Sequence, residues 1–499
     1  MTGNNNNNKP MVNFSRLDGS GRTPRNNQLQ ALQFLQENWE KADVFVLRLP
    51  TGAGKSFISR ALMLAFMGEG GVGVLTPNNA LVSQYLQDYP KVNTFVGVRH
   101  YLTTYAYDQA KLKALGGENT FYNVASYLSL TCDTNFIKPS VVILDEADQI
   151  IEHFQSASGW AIPVGLCAET LDGLVINLKK EVARLQALIK ARPDTKAAQT
   201  THKDKIEKYT KYLYQARELG STDYTLSKEQ DSNGVVTYSL RPVVMPTRYT
   251  RELFEGQKVI MLSGSIFPHD VESLIGKEAK VIYFDGESPI PVARRQVYVK
   301  PLSEEDYDTT FTYPVDYPKV ALAIRDTVKK FHMLTPCMIH CTYSDMQAYR
   351  ELFTEDEAVF HTPNTKTSAI QQWQAEPHKL FFGAGCTTGL DLKDDMCRLN
   401  IILKANFPNQ MDIGVRKRTR MLDGRHWMEL QVLRQLVQAC GRSTRNEKDY
   451  SATIIFDTRL VGLIIANKAI LPAYFREALD FYPLRGREKE INDALRHLT

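Results

Sequence analysis

Leu49-Pro50-Thr51-Gly52-Ala53-Gly54-Lys55-Ser56 sets glycines, a lysine and a hydroxyl where a phosphate chain can be held. Glycines let backbone N–H groups converge on phosphate oxygens, a lysine supplies a point charge to the outer phosphates, and a serine offers its hydroxyl to Mg²⁺. Such a loop usually opens on glycine five residues before Gly54, where this chain has Leu49. Further on, Asp145-Glu146-Ala147-Asp148 follows the apolar run Val141-Val142-Ile143-Leu144. A continuous run of that length reads as a buried parallel strand. Its C-terminal end is where an open α/β sheet keeps its ligand crevice. Asp145 is suited to hold Mg²⁺ through the ion's water shell, and Glu146 to orient and deprotonate the attacking water. Loop and tetrad together read as a nucleoside-triphosphate hydrolysis site.

The elements around these residues follow from periodicity. Leu29, Leu32, Leu35 and Trp39 have helical spacing, Val44 to Leu49 is a strand feeding the loop, and Phe57 to Met67 is the helix leaving it. Val72 to Leu75 is the next strand, and a helix with Leu81 and Gln84 follows it. Strands alternating with helices predict a parallel α/β sheet. After Asp148 the pattern changes to two helices, Gly173 to Arg192 and a second marked by Ile206, Tyr209, Leu213 and Ala216. Lys179, Lys180, Arg184, Lys190, Lys203, Lys205, Lys208 and Lys211 lie on their outer face. That face is either a solvated surface or a basic arm over a nucleic-acid path. Asn233-Gly234 marks the tight turn of a β-hairpin. Val259 to Leu262 is a further buried strand, and Ser288-Pro289-Ile290-Pro291 suits an interdomain linker. Strands recur near residues 337–341, 380–382, 399–403 and 453–456, and Glu488 to Leu498 reads as a helix.

Bulk properties narrow the class. At 499 residues two to three domains are expected, and 43% hydrophobic residues suffice for their cores. A net charge of +4 is too mild to argue for nucleic acid by itself. Seven scattered cysteines fit a reducing compartment rather than a disulfide framework. No apolar run reaches the roughly 18 residues of a membrane helix. Met1-Thr2-Gly3 and the five asparagines after it read as a disordered tail with no signal region. A soluble intracellular protein is the expectation.

What discriminates among phosphate-loop enzymes is Gln438-Ala439-Cys440-Gly441-Arg442-Ser443-Thr444-Arg445. Spacings of four and three predict Gln438, Arg442 and Arg445 on one face of a helix end. Two guanidiniums suit the oxygens of a γ-phosphoryl group in transfer. Supplied by a second domain, they would complete the site only when two sheets close.

The ordered set resembles superfamily 2 helicases, and within them the XPD/DinG-like branch. Arg25-Asn26-Asn27-Gln28 is similar to the branch's adenine-reading motif, and Thr76-Pro77 with Leu81 and Gln84 to its motif Ia. Ser263-Gly264-Ser265-Ile266-Phe267-Pro268 resembles its motif III, and 383–392, with Gly389 and Asp391, its motif V. Gln438 to Arg445 resembles motif VI. The resemblance implies an α/β fold of two RecA-like parallel-sheet domains, with a helical insertion placed as the Arch domain and a β-hairpin in the first. The expected division is a tail over 1–20, a first domain over 21–150 and 236–290, an insertion over 151–235 and a second domain over 291–499. ATP and Mg²⁺ are the implied cofactors. Arg25, Gln28, Thr51, Gly52, Ala53, Gly54, Lys55, Ser56, Gly389 and Asp391 would bind ATP. Ser56 and Asp145 would face the metal, and Lys55, Asp145, Glu146, Gln438, Arg442 and Arg445 would carry catalysis. Thr76, Asn78, Ser263 and Thr342 would grip the strand.

The implied activity is ATP-driven movement on single-stranded DNA and unwinding of forked or branched DNA by a monomer, with no membrane partner. Alternatives are a branch-migration translocase, an ATP-gated DNA clamp and a DEAD-type RNA remodeller. That branch usually carries a four-cysteine iron–sulfur domain between loop and tetrad; here the interval holds one cysteine, Cys132, and Thr103 stands where the first cluster ligand would be. No cluster is therefore expected. Cys337-Met338-Ile339-His340-Cys341 lacks the second ligand pair of a closed zinc site and reads as core.

Overall fold

The computed structural model describes residues 23–493 except 51, 66–70, 132, 158, 192–195, 218–223, 231–235, 245–251, 300–314, 332–333, 387–391, 393–395, 445–447, 483–485, 488 and 490. Thr51, Cys132, the Asn233-Gly234 turn, Gly389, Asp391 and Arg445 thus lie outside the described residues, as does most of the predicted C-terminal helix.

The first half builds strands β1 (Val44–Arg48), β2 (Val72–Thr76), β3 (Asn93–Phe95), β4 (Thr120–Asn123) and β5 (Val141–Asp145). β1, β2 and β5 are buried along their whole length, as strands covered on both faces must be. An inserted unit follows, with β6 (Trp160–Ile162), helices Leu171–Ala191 and Lys196–Arg217, β7 (Tyr224–Gln230) and β8 (Val236–Pro242). The chain then returns through β9 (Lys258–Ser263) and β10 (Val281–Asp285). The large sheet runs β10-β1-β9-β5-β2-β4-β3, all parallel. Register matters here. Arg48 pairs with Ser263 and Asp145 with Leu262, so the phosphate loop, the acidic tetrad and Ser263-Gly264-Ser265 leave the sheet at one edge. The helix Asn26–Asn38 buries Ala31, Leu32 and Leu35 against Phe57, Ile58 and Leu62 of the helix Lys55–Ala65.

The inserted helices start at Leu171 rather than Gly173 and pack Leu174, Leu178 and Leu185 with Tyr209 and Trp160. The division expected at residue 236 is corrected. β8 pairs antiparallel with β6 and β7 in a separate three-stranded sheet, because Leu240 is buried with Trp160 and Leu174 in the insertion's own core. Lys179, Lys180, Lys190, Lys203, Lys205 and Lys208 are exposed, and Arg184 pairs with Glu181. Lys417 of the second half donates to the Tyr224 carbonyl at 2.6 Å, tying the insertion to the other lobe.

The second half forms β11 (Val297–Tyr298), β12 (Cys337–Cys341), β13 (Ala358–Val359), β14 (Leu380–Ala384), β15 (Leu399–Ile402), β16 (Ala452–Ile455) and β17 (Leu479–Asp480). Their parallel order is β13-β14-β12-β15-β16-β11-β17. β11, β13 and β17 are two residues long and leave no periodicity to read. Cys337 is buried in this lobe's core. The architecture is two RecA-like α/β domains. Phe267, from the segment after β9, is fully buried in the core of the second lobe beside Val297 and Leu433, so the lobes meet through packed side chains. Among the described residues no helix is long and apolar enough to cross a membrane.

Candidate active site and domain junction

The phosphate loop depends on two backbone conformations that suit glycine, Gly52 at φ 80° and Gly54 at φ 78°. A Cβ on Gly54 would lie 2.2 Å from Gln28 Nε2. Gln28 donates to the carbonyls of Ala53 at 3.0 Å and Gly54 at 3.3 Å, and accepts from the Arg25 N–H at 2.9 Å. The Arg25 guanidinium donates to the Gly52 carbonyl. Arg25 and Gln28 thus brace the loop's backbone. Lys55 and Ser56 open the helix behind it.

Lys55 Nζ lies 3.0 Å from Glu146 Oε1. Burial pulls the lysine's pKa down, but the Glu146 and Asp145 charges outweigh it and the net shift is upward. Glu146 has φ 55°, a left-handed backbone that costs a non-glycine residue about 1–3 kcal/mol and tends to occur where a side chain must be aimed. Asp145 is buried and accepts from the Tyr85 hydroxyl at 3.0 Å. Burial first, then repulsion from Glu146, pushes its pKa up to about 6, against the pull of Lys55 and Tyr85. Its Oδ1 is buried with no hydrogen-bond partner. A hydrated divalent cation would satisfy that oxygen and favour the ionised form. With the Ser56 hydroxyl, the donor set is the hard-oxygen type Mg²⁺ takes. Tyr85 was missed from the sequence, where only its neighbours Leu81 and Gln84 stood out; burial and then Asp145 raise its phenol well above the usual range, so it remains a donor.

Asp148, the last tetrad residue, is buried. It accepts from Ser263 Oγ at 2.6 Å, Ser265 Oγ at 2.7 Å and, from the second domain, Gln438 Nε2 at 2.8 Å. Gln438 also reaches Ser265 Oγ at 3.2 Å. One carboxylate thus collects both motif III serines and the first residue of the arginine-bearing segment. The predicted shared helix face is corrected: the helix Gly424–Cys440 stops at Gly441, and Arg442 sits in the turn beyond it. Glycine's poor helix propensity accounts for the stop.

Two of the proposed strand contacts are also corrected. Thr76 and Ser263 are fully buried; Thr76 Oγ1 donates to the Asn78 carbonyl at 3.0 Å, and Ser263 is committed to Asp148. Neither hydroxyl reaches the surface, because strand-end polar groups must satisfy the buried sheet edge. Asn78 and Thr342 remain accessible, each capping a helix that begins at the C-terminal end of a strand. Thr103, where a cluster ligand was the family's expectation, caps the helix Thr104–Leu115 by accepting from the Ala106 N–H at 3.1 Å.

The sequence reading also missed a buried ion pair across the junction. Arg434 Nη2 donates to Asp270 Oδ1 at 2.5 Å, with Glu152 at 3.8 Å. Arg434 stands one helical turn before Gln438, which was the available signal. Arg434→Ala would leave Asp270 buried and uncompensated. The expected outcome is a loss of about 3–5 kcal/mol of stability, read as a lowered calorimetric transition; an unchanged transition would refute the pair's structural role.

A family model for DEAD/DEAH box helicases matches residues 25–161, and one for a helicase C-terminal domain matches 329–477. Between them they span more than half of the chain and take in the loop, the tetrad and the Gln438 helix. The chain belongs to the superfamily 2 helicases. Three solved XPD structures share the helicase's fold. The structure of S. tokodaii Xpd4 has a TM-score of 0.54 at 12% identity, covering 92% of this chain and 100% of that one. An XPD helicase gives 0.53 at 13%, covering 89% and 98%, and an apo XPD gives 0.51 at 12%, covering 87% and 96%. The Gallus gallus Fanconi anemia group J protein homolog is 38% identical over 81 residues, which is 14% of this helicase and 6% of that protein's length.

Proposed function

We propose that the helicase couples ATP hydrolysis to movement along single-stranded DNA and to unwinding of forked or branched DNA. The observation that carries this is the Asp148 junction. A carboxylate three residues from Asp145 is bonded to Gln438, four residues before Arg442, so the acidic tetrad and the second domain's arginine segment meet at one buried side chain. Incoming phosphates would displace Glu146 from Lys55. Lys55 then neutralises phosphate oxygens, and Glu146, aimed by its left-handed backbone, is free to take the proton of the attacking water. Mg²⁺ held by Ser56 and, through water, Asp145 would neutralise charge on the β- and γ-phosphates. Arg442 and Arg445, with Gly389 and Asp391, would complete the site from the second domain, and Thr51 and Ala53 would line the loop. Rearrangement at Asp148 as γ-phosphate leaves would reset Gln438 and shift one sheet over the other.

DNA rather than RNA is favoured by the XPD-like branch, a DNA-handling one. Asn78 and Thr342 stand at the C-terminal ends of strands in the two sheets, at the start of helices whose N–H groups suit phosphates. The test is ATPase rate with no nucleic acid, single-stranded DNA, forked DNA and RNA, beside strand displacement on forks bearing either tail. DNA stimulation with tail-dependent displacement is expected. Stimulation by RNA above DNA, or by neither, overturns the proposal.

A further inference from the structure

Ser263-Gly264-Ser265 receives Gln438 from the second domain, and a second group of that domain reaches the same tripeptide from a different segment. Beyond the helix Thr458–Ala466 the chain runs through Ile470-Leu471-Pro472 into the short helix Ala473–Arg476. Tyr474 on this helix donates its hydroxyl to the Gly264 carbonyl at 2.7 Å. Four residues earlier, the Ile470 carbonyl accepts from Arg48 Nη1 at 3.1 Å. Arg48 ends β1 and directly precedes Leu49, where the phosphate loop begins. One short stretch of the second domain therefore holds the ends of the neighbouring strands β1 and β9, at the root of the phosphate loop.

The packing at Gly264 is tight. A Cβ there would lie 3.0 Å from the Leu49 carbonyl oxygen and 3.1 Å from the Tyr474 hydroxyl, closer than side-chain carbons normally approach. The Leu49 N–H in turn donates to the Ser263 carbonyl at 3.1 Å. Residue 264 is thus a thin spacer on which the loop's first residue and the second-domain phenol converge. Tyr474 is itself fixed in place. It packs against the cluster that holds Phe267, Leu471 and Phe475. Its carbonyl accepts from the Arg295 guanidinium, which also pairs with Glu477. Burial, and after it the Asp148 charge, raises the phenol's pKa, so the hydroxyl stays a neutral donor.

We propose that Tyr474 is a positioning residue for ATP hydrolysis, seating the root of the phosphate loop against the second domain by holding the Gly264 carbonyl. It acts through Gly264 and Leu49, not on the nucleotide. Gln438 and Tyr474 then report on the same tripeptide through different atoms, Gln438 through the Ser265 hydroxyl and Tyr474 through the backbone. The inference rests on hydrolysis at the loop and tetrad, and not on movement along DNA.

The test measures kcat and KM for ATP, with and without single-stranded DNA, for the full chain and for Tyr474→Phe, Gly264→Ala and the double variant. Melting temperature is the folding control. Tyr474→Phe removes one oxygen and keeps the ring. Its kcat is expected to fall about three- to tenfold, the net worth of one hydrogen bond, while KM for ATP holds within about twofold. A residue that only supported the fold would lower the melting temperature and leave the kcat of the folded protein unmoved. Gly264→Ala is expected to lower kcat as well, because its methyl group meets the phenol. In the double variant that oxygen is gone, so the combined loss is smaller than the product of the two. Wild-type kcat in Tyr474→Phe, a change confined to KM, or losses that multiply overturns the assignment. Should Gly264→Ala not fold, the split between kcat and KM in Tyr474→Phe decides alone. A wild-type chain that hydrolyses no ATP under either condition overturns the hydrolysis reading itself, and the positioning role falls with it.

Discussion

Glu146→Gln is expected to bind ATP and DNA while its turnover falls by about 10²–10⁴-fold, the usual range for losing a positioned general base. The substitution keeps the shape of the side chain and its reach toward Lys55, which is 3.0 Å away, but removes the charge and the basicity. Two consequences separate a base from a mere partner of the lysine. Without the ion pair, Lys55 has one competitor fewer for phosphate, so ATP affinity holds or rises. In a single-turnover experiment the chemical step, not nucleotide binding, carries the loss. Full turnover by this variant would falsify the assignment of the base. The left-handed φ of 55° adds a control: Glu146→Gly relieves the backbone cost but removes the side chain, and it should be as inactive as the glutamine variant.

Arg442→Ala should lower turnover by about 10³-fold with near-normal ATP affinity, because a guanidinium offered to the transferring phosphoryl group acts mainly in the transition state. The arginine stands in the turn after Gly441, four residues past Gln438, whose side chain is anchored on Asp148. That anchor ties its placement to domain contact. Gln438→Ala is accordingly expected to mimic part of the Arg442 defect without touching the nucleotide. The readout is kcat with and without DNA: loss of DNA stimulation with residual basal hydrolysis supports coupling through Asp148, whereas an Arg442→Ala enzyme with wild-type kcat rules out the arginine as a finger.

Much of this site was legible from residue types at short range. A phosphate loop, a strand ending in adjacent carboxylates, and a helix ending in glycine and arginine each carry their signal within a few neighbouring residues. Apolar runs read as β1, β2, β5 and β9 because both faces of these strands are covered, and the alternation with helices implied a parallel sheet. Short edge strands such as β11 and β17 left no such trace, since two residues have no period.

Sequence by itself therefore determined the phosphate loop, the acidic tetrad, the two parallel sheets and the order of the parts. Tertiary structure decided the partnerships. Thr76 and Ser263 look from sequence like ligands for a strand, yet burial turned their hydroxyls to the Asn78 carbonyl and to Asp148. Tyr85 became the support of Asp145 only because β2's following helix packs against the end of β5. Arg434 and Asp270 lie 164 residues apart and meet only where the domains do. Local sequence encodes the conformations and charges a short segment will offer. Which of them face water, and which face one another, is set by long-range packing that excludes solvent from one side of each strand end and leaves the other open.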